Sequence, residues 1–257
     1  MTNQKNKKFW DKIANLYDVN IAEKGDIRHE MVINPVVFNF LGNLKGKIVL
    51  DAACGNGYLS RRMAKTAKKI FGVDFTEKLI DLAKSRDNPK NIEFSVGNLE
   101  NLQFQDQEFD VVLCSMALMD IERIEVVVKE LSRVLRVGGI LVASIIHPCF
   151  ENPPRTYSIF DEKDGKKVRV GRVVQRYFDT GFVIDGNQPV ENGESYQHYH
   201  YTISNYLNTF SKANFCLRET SEPNGNEIFK LTGNNEGMND HTPTFIIFKL
   251  EKLKHVP

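Results

Sequence analysis

The chain has 257 residues, 41% of them hydrophobic, which is enough to bury one large core or a core with an inserted segment. Its 34 basic and 33 acidic residues give a formal net charge of +1, so no global field draws it to nucleic acid or to an anionic membrane. The four cysteines are far apart, which argues against a zinc site or a disulfide framework and predicts a reducing, cytoplasmic environment without a metal centre. We expect neither a signal peptide nor a membrane span, because no apolar run reaches about 18 residues.

Helical and strand patterns alternate over the first 147 residues. Two helical stripes of apolar residues come first, over residues 7–17 and 30–41. Short β-branched runs then predict strands near residues 47–51, 69–73, 92–96, 108–114 and 139–147. The segments between them predict helices near residues 57–67, 76–86 and 122–136. This alternation is typical of a parallel sheet that is covered by helices on both faces.

The pattern changes after the fifth predicted strand. Residues 148–198 are rich in proline and glycine, and alternating runs at 168–174 and 177–184 predict one or two inserted β-hairpins. A helix is predicted over 203–213, followed by two strands over 215–220 and 244–250 that we expect to be antiparallel neighbours. The polar, turn-rich residues 233–242 predict a loop between these two strands.

A glycine turn follows the first predicted strand and precedes a helix. The strand ends at Asp51, and Gly55 and Gly57 come next, in the layout that brings backbone close to a ligand at a helix N-terminus. A dinucleotide fingerprint needs a third small residue where this chain has Ser60, and Asp51 would repel a pyrophosphate. A cationic ligand without phosphate fits better, and S-adenosylmethionine (SAM) carries a sulfonium, an ammonium and no phosphate.

The glycine turn and four later segments resemble, in order, the motifs of the Rossmann-like (class I) SAM-dependent methyltransferases of small-molecule type. The later segments are residues 70–75, 96–104, 109–115 and 130–146. The resemblance covers about residues 9–147 well, and residues 199–222 and 243–250 more loosely. It implies a doubly wound, mostly parallel seven-stranded α/β sheet with helices on both faces, an antiparallel last strand and a β-rich insertion after strand 5.

The resemblance assigns the adenosine half of SAM to two strand ends. Asp74, about 20 residues after the glycine strand, would hold the ribose hydroxyls, with Phe75 beside it. Asn98 and Leu99 would contact the adenine. Asn98 departs from the family's usual Asp, so a neutral hydrogen bond replaces a charge-assisted one and somewhat weaker binding is expected. Alternatively, Asp74 caps the next helix and Asn98 belongs to a polar turn.

The methionine half is assigned to the glycine turn, the fourth strand and the N-terminal segment. The backbone from Ala53 to Gly57 would pass the methionine moiety, with Ser115 nearby. Asp51 either favours the positive charge of the ligand or only caps the helix that follows. In similar proteins the N-terminal segment folds over this end, so Tyr17 would pack there and Arg28 would pair with the carboxylate. A packed Tyr17 and a solvated Arg28 are the alternative.

Two histidines are candidates for handling the proton of the methyl acceptor. His147 follows the fifth predicted strand, and His200 lies in a cluster of Tyr and His before the last helix. Both ends of the insertion would return to one pocket, where a histidine is the usual proton acceptor. The alternative is a half-buried histidine with a structural role.

Basic residues of the insertion are interpreted as a solvated edge strand, and an RNA-binding hairpin is the alternative.

These observations predict a SAM-dependent methyltransferase that moves a methyl group to an N, O or C nucleophile of a small organic molecule. The predicted parts are an N-terminal helical cap (1–46), a SAM-binding domain (47–147 and 202–257) and an inserted substrate lid (148–201). The alternatives are an RNA methyltransferase, which would need a basic face, and a non-catalytic SAM-binding or regulatory protein. We expect a monomer or homodimer without nucleic-acid or membrane partners.

Overall fold

The structure is a computed structural model that describes residues 2–150, 156–163, 165–190, 194–224 and 242–254. The predicted loop over 233–242 lies outside the described residues except for its last residue. No helix in the described part of the chain combines the length and the apolar character that crossing a membrane requires.

A seven-stranded sheet forms the centre of the molecule. Its strands are β1 (Ile48–Ala52), β2 (Lys69–Asp74), β3 (Ile92–Val96), β4 (Phe109–Ser115), β5 (Leu135–Ile146), β10 (Phe215–Ser221) and β11 (Phe245–Lys252). They lie in the order β3-β2-β1-β4-β5-β11-β10, in which β1 to β5 run parallel and β11 is antiparallel to both of its neighbours. The predicted fold class is therefore confirmed, including the antiparallel last strand.

Helices cover both faces of this sheet. They are α1 (Thr2–Ile21), α2 (Asn34–Leu41), α3 (Tyr58–Met63), α4 (Glu77–Ser85), α5 (Ile124–Val134) and α6 (Ile203–Lys212). Successive residues of a strand point to opposite faces, so Val49 packs into the cluster with α2 and α3 while Leu50 packs into the cluster with α5 and α6. In α5, residues at helical spacing such as Ile124, Val128 and Leu131 are buried, which fixes the face that this helix turns to the sheet.

Strand β5 begins four residues earlier than the sequence predicts. The helix before it ends at Val134, and Leu135 already pairs with Phe109. The register then shifts before Ile140 pairs with Val111, and Gly138 has φ +76°. The Gly-Gly segment is therefore an irregularity within the strand and not a separate turn, since glycine permits the positive φ that such a bulge requires.

The second predicted helix, over 30–41, is two elements. A π-helical turn spans His29–Ile33, and α2 follows directly with Pro35 in its first turn. Proline has no N–H to continue the hydrogen bonding of the preceding turn, which is consistent with the change of helix type here. Such π-helical turns are often found at functional sites.

The insertion after β5 contains two β-hairpins, as predicted. One pairs β6 (Thr156–Lys163) with β7 (Lys166–Val174), and the other pairs β8 (Gly181–Val190) with β9 (Glu194–His200). Strand β9 packs against the short 3-10 turn Leu118–Asp120 that follows β4. Just after β9, the Tyr201 hydroxyl donates to the carbonyl of Ile121 at 2.9 Å. The second hairpin is thereby held over the edge of the sheet.

Candidate active site

A cavity of about 170 Å³ opens at the carboxyl ends of the parallel strands. Its wall includes Ala53 and Gly55 after β1, Asp74 and Phe75 at the end of β2, Asn98 and Leu99 after β3, and Ser115 at the end of β4. Helix α1 contributes Tyr17 to the same wall. The carboxyl edge of a doubly wound sheet is the expected ligand position, so the topology brings these predicted residues together.

The glycine turn after β1 is shaped by contact with α1. Gly55 has φ +54°, and a Cβ atom on it would lie 3.2 Å from the ring and the hydroxyl of Tyr17. Ala53 also has a positive φ, of +61°, although it carries a side chain. Sparsely populated backbone conformations of this kind concentrate at ligand sites, where surrounding structure holds them in place.

Asp74 braces the glycine turn from β2. Its Oδ2 accepts the Gly55 N–H at 3.0 Å and its Oδ1 accepts the Thr76 N–H at 2.8 Å. Burial raises the pKa of Asp74, and the two N–H donors partly oppose that change. Each carboxylate oxygen can accept a second hydrogen bond, so bracing the loop and binding a diol are compatible.

Asp51 and Gly57 are not among the described residues that line the cavity. Asp51 is 2% exposed and accepts the Ser60 hydroxyl at 2.5 Å. Burial, with a smaller contribution from the Asp74 carboxylate, raises the pKa of Asp51 to about 7. Gly57 precedes α3 with φ +77°, and a Cβ there would collide with the ring of Phe94. Both residues help to hold the shape of the turn without lining the cavity, so their predicted contact with the ligand is not supported by the geometry.

Asn98 and Ser115 occupy two other strand ends on the wall. The Oδ1 of Asn98 accepts the Glu100 N–H at 2.9 Å, which folds the loop after β3 into a tight turn. The polar-turn interpretation of Asn98 is thus present in the structure, and a second lone pair on the same oxygen remains for a ligand. The Ser115 hydroxyl is 2.9 Å from the Ser144 hydroxyl of β5, which ties two adjacent strands together.

The N-terminal segment places His29, and not Arg28, on the cavity wall. Arg28 is exposed, whereas His29, the first residue of the π-helical turn, contributes to the wall. The Nδ1 of His29 lies 2.8 Å from Asp26 Oδ1, which also accepts the His29 N–H. The prediction that Arg28 faces the ligand is therefore not supported by this geometry.

Asn56 is a residue of the glycine turn that sequence reasoning missed. Its buried side chain donates to Asp18 Oδ1 at 2.9 Å and to the Ala22 carbonyl at 3.0 Å, and so fastens the end of α1 to the turn. Asp18 also accepts from Arg86 at the end of α4, at 2.6 Å. Helix α1 is consequently held on the cavity by buried hydrogen bonds as well as by apolar packing.

Trp10 and Tyr196 complete the aromatic part of the wall. The Trp10 ring is edge-to-face with Tyr17 at 5.5 Å and with Tyr196 at 6.0 Å between centroids. Trp10 belongs to the apolar stripe of α1, and Tyr196 belongs to the Tyr and His cluster of the insertion. Their approach brings the first helix and the second hairpin together across the cavity.

Asp120 is a further wall residue that the sequence did not reveal. It ends the 3-10 turn after β4, and its Oδ1 atom is buried without a hydrogen-bond partner among the described residues. Burial, and to a smaller extent the Asp74 carboxylate, raises the pKa of Asp120 well above its usual range. An acid within the apolar run from Leu118 to Ile121 was the available signal.

The two predicted catalytic histidines are not on the described wall of the cavity. His147 is 2% exposed, and the Cys149 N–H donates to its Nδ1 at 3.2 Å. The ring proton therefore sits on Nε2, which donates to Glu222 Oε1 at 2.7 Å. His200, 1% exposed, donates from Nε2 to the Tyr177 carbonyl at 2.8 Å. The prediction that both line the acceptor cavity is not supported, because each is buried among local partners.

The charges of the wall suit a cationic ligand without phosphate. The described wall residues include the carboxylates of Asp74 and Glu100 but no lysine or arginine. A phosphate would meet these carboxylates without a fixed positive charge, whereas a sulfonium or ammonium would be attracted. Gly55 adds a place where bare backbone lines the cavity. The residues present therefore fit SAM. Among the residues described, no group of His, Cys, Asp or Glu is arranged to hold a metal ion.

Residues 50–143 match the family model of a methyltransferase domain. The chain is 33% identical over 132 residues to a ubiquinone biosynthesis O-methyltransferase of Coxiella burnetii, which covers 49% of this chain and 56% of that protein. It is 33% identical over 128 residues to a demethylmenaquinone methyltransferase of Lactococcus lactis, with 48% of each chain covered. The chain thus spans about half the length of the curated relatives it matches.

A solved structure extends the similarity of fold beyond this segment. The crystal structure of a SAM-dependent methyltransferase from Mesorhizobium loti superposes with a TM-score of 0.70 at 21% identity, covering 85% of this chain and 96% of that one. Residues 50–143 are therefore a methyltransferase domain, and the chain as a whole has the fold of the SAM-dependent methyltransferases.

Proposed function

We propose that the protein is an active methyltransferase that methylates an N, O or C nucleophile of a small organic molecule. The observation that carries this proposal is one cavity that joins the strand ends of the family motifs to an aromatic wall from α1 and β9. A cavity with an aromatic lining is typical of a site for a small molecule.

SAM supplies a methyl group already activated by the sulfonium, so the protein's own residues have to bind, align and exclude water. We assign Asp74 to the ribose hydroxyls and the loop at Asn98 and Leu99 to the adenine. The backbone from Ala53 to Gly55 would accommodate the methionine moiety. His29, held by Asp26, is better placed than Arg28 to face that moiety's carboxylate.

We also propose that the parts of the chain divide this work. Residues 1–46 act as a cap, residues 47–147 and 202–257 bind SAM, and residues 148–201 form a substrate lid. The support is that the family model ends at residue 143, before the hairpins, while Tyr196 of β9 lines the same cavity. The acceptors of the quinone-pathway relatives are not assigned to this chain, since the matched segments cover only about half of those proteins.

Ligand binding and methyl transfer test the function separately. Calorimetry should show binding of SAM or S-adenosylhomocysteine and no comparable binding of NAD. Asp74→Ala should weaken S-adenosylhomocysteine binding at least tenfold, because it removes charge-assisted bonds worth roughly 1.5–3 kcal/mol each. The matched control, Asp81→Ala on the exposed face of α4, should leave the affinity unchanged.

Incubation with methyl-tritiated SAM then identifies the class of acceptor. We expect label to move into a small-molecule extract and not into RNA. Transfer to RNA alone would support the RNA methyltransferase, and cofactor binding without transfer to either would support a regulatory protein.

A further inference from the structure

The aromatic end of the cavity contains an acidic group that the cofactor assignments do not use. Asp120 reaches the wall from the turn after β4, and its buried Oδ1 has no hydrogen-bond partner among the described residues. A buried acceptor without a partner is costly, on the order of 1–3 kcal/mol. Such a cost is commonly offset when a ligand supplies the missing donor.

The rings around this carboxyl group come from two separate elements. Trp10 and Tyr17 lie on α1, and Tyr196 lies on β9, which packs on the turn that carries Asp120. The three rings are packed edge-to-face through Trp10, so their positions are mutually fixed. Aromatic rings beside a carboxylate are the combination that proteins use to bind organic ammonium groups, through cation–π attraction and charge pairing.

Charge favours an amine over a phenol at this place. A phenol must lose its proton to react as a nucleophile, and the phenolate would be repelled by the Asp74 carboxylate and would favour the neutral form of Asp120. An ammonium, in contrast, favours the ionised form of Asp120. The two tyrosines add no charge, because burial raises the pKa of Tyr17 and of Tyr196 well above the usual value and keeps both side chains neutral. An ammonium is attracted by every one of these groups.

We propose that Asp120, with Trp10, Tyr17 and Tyr196, forms the acceptor subsite, and that the acceptor is a small molecule with a primary or secondary amine. This inference rests on the proposed methyltransferase function and specifies its substrate class.

Asp120 also has a chemical role in this subsite. An ammonium nitrogen has no free electron pair, so it must lose a proton before it can be methylated. Transfer of that proton to the Asp120 carboxylate gives a neutral amine and a neutral acid, a pair with the same atoms and total charge as the ion pair. The raised pKa of Asp120 narrows the difference in free energy between the two pairs. The amine then forms its N–C bond as the S–C bond of the methyl donor breaks, and the electron pair of that bond stays on sulfur.

Calorimetry with two probes of matched size tests the subsite without the natural acceptor. Wild-type protein saturated with S-adenosylhomocysteine is titrated with benzylamine, which is cationic at neutral pH, and with benzyl alcohol, which is neutral. We expect benzylamine to bind at least tenfold more tightly than benzyl alcohol. Equal affinities, or failure of benzylamine to bind, would overturn the proposal.

The isosteric variant Asp120→Asn gives a second test. It should abolish the preference for benzylamine while leaving the affinity for S-adenosylhomocysteine within about twofold of wild type. The control Glu122→Gln, outside the described wall, should retain the preference. If Asp120→Asn keeps the preference, the subsite assignment is wrong. If wild-type protein does not bind S-adenosylhomocysteine at all, the proposed function itself fails, which separates the two results.

Discussion

Asp51 is buried beside a second carboxylate, and its charge therefore depends on pH near neutrality. Its usual pKa of 3.8 applies to the unfolded chain, whereas burial raises the pKa to about 7 in the folded protein. The folded state consequently holds a proton on Asp51 more tightly than the unfolded state does. The contribution of Asp51 to the free energy of unfolding is greatest at low pH and decreases as the pH rises from about 4 to about 7.

Asp51→Asn should remove this pH dependence, because the amide does not titrate and its oxygen can still accept the Ser60 hydroxyl. Relative to wild type, the unliganded variant should gain free energy of unfolding as the pH rises, by on the order of 4 kcal/mol at most. Urea denaturation at pH 5 and pH 8 measures the change. Asp81→Asn, exposed on α4, is the control and should alter stability by less than about 0.5 kcal/mol at both pH values. An equal effect of Asp51→Asn at both pH values would contradict the prediction.

Asn98 is the place where the chain departs from the usual acid of its family. Asn98→Asp keeps an oxygen for the Glu100 N–H and adds negative charge toward the proposed adenine position. The affinity for SAM should stay the same or increase, because an ionised acceptor makes a stronger hydrogen bond with the adenine amino group. Calorimetry checks this, and a clear loss of affinity would show that the loop does not contact the adenine in the proposed way.

The sequence predicted the residues of the cavity wall that lie at strand ends. It did not predict the wall residues that lie in irregular turns. Asp74 and Ser115 could be predicted because a strand's end fixes where the next residue lies. His29 was not found, because it lies at the start of a π-helical turn and not at a strand end. Asp120 was not found because it lies in the turn after β4 and not at a strand end, although an acid within an apolar run was a signal for it.

At the scale of elements, the contact between α1 and the glycine turn controls the closed shape of the cavity. Gly55→Ala should reduce S-adenosylhomocysteine affinity about tenfold, or roughly 1.4 kcal/mol, because its Cβ would displace the Tyr17 ring. Gly46→Ala is a matched control, since Gly46 also has a positive φ, of +76°, but a Cβ atom added there would have nothing within 4 Å.

The control should lose stability through backbone strain and keep its affinity. Equal affinity losses in the two variants would mean that strain, and not contact with Tyr17, is responsible. Thermal unfolding measured beside calorimetry separates the two effects.

The Asn56 side chain is the other link between these elements. Asn56→Ala removes its bonds to Asp18 and to the Ala22 carbonyl, and we expect a loss of about 1–3 kcal/mol of stability. Amide hydrogen exchange should become faster in α1 while the exchange of β1 and β4 changes little. Asn43→Ala, which removes one exposed hydrogen bond to the Lys45 N–H, is the control. Uniformly faster exchange would indicate general destabilisation and not release of α1.

The bounds of most strands of the central sheet were predictable to within two residues, and the exception is the start of β5. The alternation of β-branched runs and amphipathic helices determines which face each element buries, so β1 to β4 and α4 were found. The start of β5 was not found, because a glycine pair signals a turn as readily as a bulge. Only the pairing of Leu135 with Phe109 distinguishes the two possibilities.

For the whole molecule, the cavity is closed by two parts that come from outside the parallel strands. Helix α1 and strand β9 each carry rings of its wall, so a ligand in the cavity should stabilise both. Saturating S-adenosylhomocysteine should raise the midpoint of thermal unfolding, as expected for any ligand that binds only the folded state. At a concentration one hundred times its Kd, it should add about 2.7 kcal/mol to the free energy of unfolding. Added protection from hydrogen exchange should be concentrated in α1, in β9 and in the strand-end loops. Protection confined to β10 and β11 would contradict this location of the ligand.

Trp10 is the only tryptophan among the 257 residues, and it lies on the cavity wall in contact with Tyr17 and Tyr196. The chain therefore contains a single indole fluorophore at the place where the proposed ligands would meet. Changes in its emission on mixing would report the filling of this cavity directly, without an attached dye. Rapid mixing could then resolve whether the cofactor and the acceptor enter in a fixed order, in protein of unaltered sequence.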